Sequence, residues 1–276
     1  MLTKEFLLES LTPLNIEKDS ILLVHSSLKS LGMIDGGAET VISVLEALIP
    51  EGTLVMPTLS QKNWDTVFED WHMDRPSDTG LITEVFRKQS GSLRSDNATH
   101  SVAARGRLAH DLVSGNPTVG ARFGVFGNYC FSHESPWQRM YESRIRYGAK
   151  AYVLFWGVDM MYHTFKHFCE YRFVEEILNG IPNPKEREAI KNQLTGYPWP
   201  KDMSLLWPFY NSQEFAQRLF KLGLLKRLSV GNGEIFCCDI FECVNATDEA
   251  LRNDTANMLS PEAYAWYLEA KRHSSK

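Results

Sequence analysis

The sequence predicts an α/β fold built on a parallel crossover. Three observations carry that expectation. An apolar run, Ile21-Leu22-Leu23-Val24, precedes a stretch with helical spacing of Val41, Val44, Leu45 and Leu48, and then a second apolar run, Thr53-Leu54-Val55-Met56. Strand, helix and strand within about 35 residues imply parallel pairing, since a tight hairpin cannot join parallel strands. Lys150–Val158 is a third, strongly apolar strand leading into a helical stretch over 163–178. Short apolar runs bounded by polar residues read as buried strands.

The remaining elements follow in chain order. Residues 3–10 form a short amphipathic helix. Ile21–His25 is the first strand, and Asp35-Gly36-Gly37 opens the helix Ala38–Ile49. Pro50-Glu51-Gly52 turns the chain into Thr53–Met56, which Pro57 stops. Residues 60–78 are a polar loop bearing Trp64 and Trp71; loops of this length in compact domains are functional or disordered. Ser77-Asp78-Thr79 caps a helix to about residue 89 with Leu81, Val85 and Phe86 inward. Val102–Ala104 is a strand, and 106–132 is glycine-rich and irregular. Ser135 caps a helix over Trp137–Glu142, with Pro136 at its first position. Five prolines between 180 and 208 mark an extended surface excursion. A helix over Ser212–Leu222 follows, then a hairpin: Leu225–Val230, the turn Gly231-Asn232-Gly233, and Glu234–Val244. Two short helices end the chain. The reading is one domain over 1–276, with a small subregion from about 180.

Composition narrows the classes. The 276 residues are 43% hydrophobic and 12% aromatic, ample for a large core. A formal net charge of −5 with no basic tract argues against nucleic acid. The five cysteines are odd in number and Cys237 and Cys238 adjoin, which suits reduced thiols and a cytoplasmic setting. The first ten residues lack the apolar core of a signal peptide. No run reaches the roughly 18 apolar residues of a membrane span. Self-association is left open.

Three segments carry chemistry. His25-Ser26-Ser27-Leu28-Lys29-Ser30-Leu31-Gly32 follows a strand, and Gly36-Gly37 opens a helix behind it. Hydroxyls, backbone N–H groups and a helix start together form an anion site. The alternative is capping and turn residues alone. Neither a Walker motif nor a dinucleotide fingerprint is present. Thr99-His100-Ser101 stands where a polar loop enters a strand. In Asp159-Met-Met-Tyr-His163-Thr164-Phe-Lys-His167-Phe-Cys-Glu170, helical spacing puts His163 with His167, and His167 with Glu170, on one face. A carboxylate one turn away orients an imidazole as a general base. Two histidines at i, i+4 also ligate zinc, but the metalloprotease pattern has glutamate where Thr164 stands, so a base is preferred and no metal is expected. A packed histidine and a solvated one remain the third possibility. No Gly-x-Ser-x-Gly nucleophile elbow occurs.

Taken in order, several segments resemble the aminoglycoside 3-N-acetyltransferase family: Val24–Gly32, Gly52-Thr-Leu-Val-Met-Pro-Thr58, Asp78-Thr-Gly80, Gly91-Ser-Leu-Arg-Ser95 with Thr99–Ala104, Ser135-Pro-Trp137, and His167-x-x-Glu170. The resemblance spans about 20–178 and is loose beyond. It implies a three-layer α/β/α sandwich with a mixed or largely parallel central sheet. It also implies transfer of an acetyl or short acyl group from coenzyme A to an amine on a sugar. It assigns catalysis to His167, Glu170 and His100. It assigns coenzyme binding to His25, Ser26, Ser27, Lys29, Ser30, Leu31, Gly32, Thr58, Thr99 and Ser101. Asp78, Glu134, His163 and Thr164 fall to the acceptor. The sequence departs from the family at Asn97-Ala98, where His-Pro is common, at His133-Glu134, and at His163. These departures leave open an aminoglycoside or a nucleotide-linked amino sugar as acceptor. Two other classes stand beside this reading: a zinc-dependent hydrolase using His163, His167 and Asp159 or His100, and a silent coenzyme-binding relative.

Overall fold

A computed structural model describes residues 1–60, 69–114, 130–194 and 212–274. Among these, a seven-stranded mixed sheet carries helices on both faces. In chain order the elements are α1 (Lys4–Leu11), β1 (Ile21–Ser26), α2 (Gly37–Leu48), β2 (Thr53–Pro57), α3 (Leu81–Lys88), β3 (Leu93–Arg94), β4 (Val102–Gly106), α4 (Ala109–Val113), α5 (Pro136–Tyr141) and α6 (Ser143–Arg146). Then come β5 (Ala151–Trp156), α7 (Phe165–Asn179), α8 (Pro184–Gln193), α9 (Ser212–Lys221), β6 (Lys226–Val230), β7 (Gly233–Asp239), α10 (Ile240–Asn253), α11 (Thr255–Met258) and α12 (Pro261–Ser274).

The strand order is β3-β4-β2-β1-β5-β7-β6. β1 runs parallel to β2 and β5, and every other pairing is antiparallel. The expected crossover is therefore present as β1-α2-β2. Because side chains alternate across a strand, β1 feeds two cores. Ile21 and Leu23 join Val153, Phe155 and the helices α4, α5, α7, α10 and α12. Leu22 and Val24 join Leu154, Trp156 and the helices α1, α2 and α3. This is the three-layer arrangement expected from the resemblance.

Several local expectations fail, each for a visible reason. The third helix is capped by Gly80, not by Ser77-Asp78-Thr79; the Thr79 hydroxyl donates instead to the Pro57 carbonyl at 2.6 Å. That start turns Ile82 and Phe86 inward and leaves Leu81 60% exposed. The second strand of the hairpin stops at Asp239, whose carboxylate accepts from the Glu242 N–H at 3.2 Å and opens α10. The segment after Asp239 is thus a helix and not strand to Val244. Three helices, not two short ones, close the chain, and two of them have 14 residues. Within the proline-rich excursion, Asn183 caps α8 and Pro184 occupies its first position, where a missing N–H costs nothing. Helix α4 interrupts the irregular glycine-rich stretch. The rest of both stretches, 115–129 and 195–211, lies outside the described residues.

Candidate active site

The three chemistry-bearing segments meet at the carboxyl edge of the parallel strands. Ser26 at the end of β1 pairs with Trp156 at the end of β5. β4 is antiparallel to β2, so its entry residue Val102 lies opposite Pro57 and brings Thr99–Ser101 to the same edge. The chain leaving β5 turns through Gly157 and a 3-10 turn over Met160–Tyr162 before α7 begins. The carboxyl edge of parallel strands is where open α/β sheets bind ligands.

Four histidines gather there, each at most 6% exposed. They form two edge-to-face pairs. The rings of His100 and His167 are 6.2 Å apart, and those of His25 and His163 are 6.5 Å apart. This pairing corrects the expectation that His163 and His167 share a helix face. Regular helix begins at Phe165, and His163 is held in an extended backbone conformation at the end of the preceding 3-10 turn. Its ring therefore turns towards His25 and Phe155, the latter at 5.2 Å.

His167 and Glu170 are separated by one helical turn, as expected. His167 Nδ1 and Glu170 Oε2 share a hydrogen bond of 2.7 Å, and Glu170 is 1% exposed. Burial pushes His167 well below the usual histidine range and Glu170 well above the usual carboxylate range. Burial likewise takes His25 and His100 down to about 3. Burial thus favours the uncharged form of all four imidazoles. With Nδ1 paired to Glu170, Nε2 is the ring nitrogen of His167 left to meet a substrate. Phe131 closes this side, its ring 4.9 Å from His100 and 6.4 Å from His167. The half-buried Lys166 donates to the Met161 carbonyl at 3.0 Å and adds a positive field that lowers its histidine neighbours.

A hydroxyl and guanidinium frame holds His100. Asn97 Oδ1 accepts from the N–H groups of Thr99 and His100 at 3.2 and 2.7 Å. The Thr99 hydroxyl lies 3.0 Å from His100 Nδ1, and Trp137 Nε1 donates to the His100 carbonyl at 3.2 Å. Thr58 and Ser101, both fully buried, hydrogen-bond to each other at 2.9 Å. Arg94 donates to both hydroxyls, at 3.3 and 3.2 Å, and to the Thr58 carbonyl at 2.6 Å. It also reaches the carbonyls of Met73 and Arg75 and stacks over Trp71 at 4.7 Å. Trp71 in turn donates to Asp96 at 2.7 Å. Arg94 thus ties the 69–78 loop to the strand edge that carries Thr58 and Ser101. Sequence reasoning quoted Arg94 within its motif without giving it a role; its signal was a lone arginine in a polar loop just before an apolar strand.

The loop after β1 splits in two directions. His25 enters the imidazole cluster, whereas the buried Ser26 hydroxyl has no hydrogen-bond partner. The Ser27 N–H donates to the Trp156 carbonyl at 2.8 Å, and the Ser30 hydroxyl to that of Ser27 at 2.7 Å. Lys29 and Ser30 are exposed, Leu31 is buried, and Gly32 has a φ of 103°. Gly157 packs so closely here that a Cβ would fall 2.7 Å from Ser30 Cβ, and its φ is 66°. Helix α2 starts from Gly36 with no side-chain cap.

Of the residues expected at the acceptor, the structure brings His163 and Thr164, both buried, to the cluster and leaves Asp78 and Glu134 exposed. Glu134 is bound to Arg139 at 2.9 Å. Trp64 lies outside the described residues. Among the described residues, no three of His, Cys, Asp and Glu are grouped to hold a metal ion, and no helix is long and apolar enough to cross a membrane.

A family model described as aminoglycoside 3-N-acetyltransferase matches residues 23–252. The chain belongs to that family. Among relatives of this aminoglycoside 3-N-acetyltransferase family member, the SPbeta prophage-derived aminoglycoside N(3')-acetyltransferase-like protein YokD of Bacillus subtilis (strain 168) is 28% identical, covering 93% of this chain and 95% of its own. The crystal structure of the aminoglycoside acetyltransferase AAC(3)-IVa apoenzyme superposes with a TM-score of 0.67 at 23% identity, over 99% of this chain and 97% of that one. AAC-IIIb, solved as a binary complex with CoASH, gives 0.66 at 18% identity, over 91% and 97%. Those two likenesses bear on the fold. Family membership makes this chain an acyltransferase.

Proposed function

We propose that this acyltransferase moves an acetyl or other short acyl group from coenzyme A directly to an amine of an aminoglycoside or related amino sugar, with His167 as general base. The observation that carries the reading is the 2.7 Å hydrogen bond between the buried His167 and Glu170, with His100 alongside at 6.2 Å. An amino-sugar nitrogen is protonated at neutral pH and cannot attack a thioester. His167 Nε2 takes the ammonium proton, and Glu170, whose ionised form the neighbouring Lys166 charge favours against burial, balances the imidazolium that forms. The freed amine adds to the thioester carbonyl, the C–N bond forms, and the C–S bond breaks. The departing coenzyme thiolate recovers the proton from His167. His100, held uncharged by burial, packs against the base and keeps water from it. This route uses no nucleophile on the chain.

The family relation and the complex of AAC-IIIb with CoASH support coenzyme A as donor. Within this reading the coenzyme phosphates meet the Ser26–Gly32 loop and the uncapped start of α2, where N–H groups favour anions. Thr58 and Ser101 support the strand edge behind that loop through Arg94. A cytoplasmic setting belongs to the same proposal, since no disulfide joins the five cysteines.

Thiol release from acetyl-CoA, measured against a panel of amines, tests the proposal. Turnover with an aminoglycoside or amino sugar is expected; no release with any amine would overturn it. One observation favours a second acceptor class. Glu134 and Asp70, carboxylates of the kind a polycation needs, are already paired with Arg139 at 2.9 Å and Arg75 at 3.9 Å. A nucleotide-linked amino sugar in the same panel tests that reading.

A further inference from the structure

The Cys243 thiol takes no part in the reaction above, yet its sulfur lies 3.4 Å from His163 Nε2. We propose that Cys243 is a positioning residue: its S–H fixes His163 in the Nδ1–H tautomer, so that His163 and the facing His25 together hold one oxygen of a bound substrate.

The argument starts at the end of β7. Asp239 caps α10 and turns the chain sharply, which brings Cys238, the last core residue of the strand, close enough to Cys243 in the first turn of the helix for that thiol to raise its pKa. Both thiols are buried in the core that also holds Phe155 and Phe165. A thiol is a weak donor and its sulfur a weak acceptor, whereas a neutral imidazole nitrogen accepts well. The favourable bond therefore runs from the Cys243 S–H to His163 Nε2, and the ring proton resides on Nδ1. The reverse orientation spends the ring's only N–H on sulfur and leaves a bare lone pair buried.

His163 Nδ1 has no hydrogen-bond partner, and the residue is 2% exposed. His25 Nε2 has none either, at 6% exposed. Buried polar atoms without partners are costly and rare, so two on facing rings mark a place that a ligand completes. The rings stand edge to face with centroids 6.5 Å apart. Phe155 fixes both, stacked on His25 at 5.5 Å and meeting His163 at 5.2 Å. A hydroxyl or amide oxygen accepts from His163 Nδ1–H, and a hydroxyl or water also pairs with His25. Two substrates offer that chemistry: the amide-bearing arm of the acyl donor, and a hydroxyl of the sugar acceptor. The choice between them rests on the acyl-transfer reading; the tautomer does not.

The test uses the full chain labelled with 15N-histidine. Two-bond proton–nitrogen correlation should show His163 as the Nδ1–H tautomer in the wild type, shift it towards Nε2–H in Cys243→Ala, and restore it in Cys243→Ser. Steady-state kinetics of the same proteins should show one Michaelis constant raised about five- to tenfold in Cys243→Ala, with kcat within about twofold and recovery in Cys243→Ser. A rise in KM for acetyl-CoA assigns the oxygen to the donor arm; a rise for the amine assigns it to the acceptor. An Nε2–H tautomer in the wild type overturns the proposal, as does a loss confined to kcat. The wild-type spectrum answers the first question even if Cys243→Ala does not fold. Should the wild type acylate no amine, the function proposed above fails while the tautomer result stands.

Discussion

The two histidine pairs of the site are near twins in geometry and differ in what stands behind them. Their rings are 6.2 and 6.5 Å apart, and both pairs are buried and uncharged. Behind His167 is a carboxylate at 2.7 Å; behind His163 is a thiol at 3.4 Å. Only the carboxylate supplies countercharge when a proton arrives. A thiol can orient a ring but cannot stabilise its cation. In the proposed reaction the partner, more than the imidazole, decides that one pair moves protons and the other holds a ligand.

Removing the base should produce the largest effect. His167→Ala is expected to lower kcat about a hundredfold or more at neutral pH, while coenzyme affinity measured by calorimetry changes little. Near-native turnover would place the base elsewhere. Glu170→Gln keeps a hydrogen-bonding side chain but removes the countercharge, and should cost about tenfold to a hundredfold in kcat. A comparable kcat loss in Cys243→Ala would erase the contrast between the pairs.

Burial of neutral imidazoles should also be felt in stability. His25 and His100 titrate at about 3 in the folded chain, below the usual histidine value near 6.5. The unfolded chain therefore binds protons first as pH falls. Stability is fully present above pH 6.5 and is lost between there and pH 3, by up to about 1.4 kcal/mol per pH unit for each such histidine. Glu170, raised by burial, opposes this by at most one proton. Urea denaturation between pH 7 and 4 measures the slope; His100→Gln should flatten it by about one proton, and an unchanged slope would show that His100 titrates normally.

The smallest expected effect lies beside the second pair. Ser26→Ala with Ser27→Ala should weaken coenzyme binding about three- to tenfold, since each hydroxyl contributes at most one phosphate hydrogen bond. Unchanged affinity would move the phosphates away from this loop.

How far the site was legible in the sequence follows the same division. His167 and Glu170 lie three residues apart on one helix, so local periodicity sufficed to join them. The crossover that carries His25 was legible because an apolar strand, an amphipathic helix and an apolar strand each sign themselves locally. The partner of His163 was not. Cys243 is 80 residues away, and the apolar pattern through Glu234–Val244 reads equally as strand or as helix until Asp239 caps it. Reading that segment as strand hid the turn that carries the thiol inward. Arg94 was missed because its role lies in carbonyls and hydroxyls that tertiary folding alone assembles. Leu81 failed because it is the first residue of α3, outside the packed face that Ile82 and Phe86 form.

The base itself can be isolated by following acyl transfer in His167→Ala, saturated with acetyl-CoA, against an active amine from pH 6 to pH 10. Removal of a proton from the ammonium is the step assigned to His167. The deficit against wild type should therefore be greatest at neutral pH and shrink steadily as solution pH rises past the amine's own pKa and delivers it already deprotonated. A deficit that stays constant across that range would contradict His167 as the group that takes the proton.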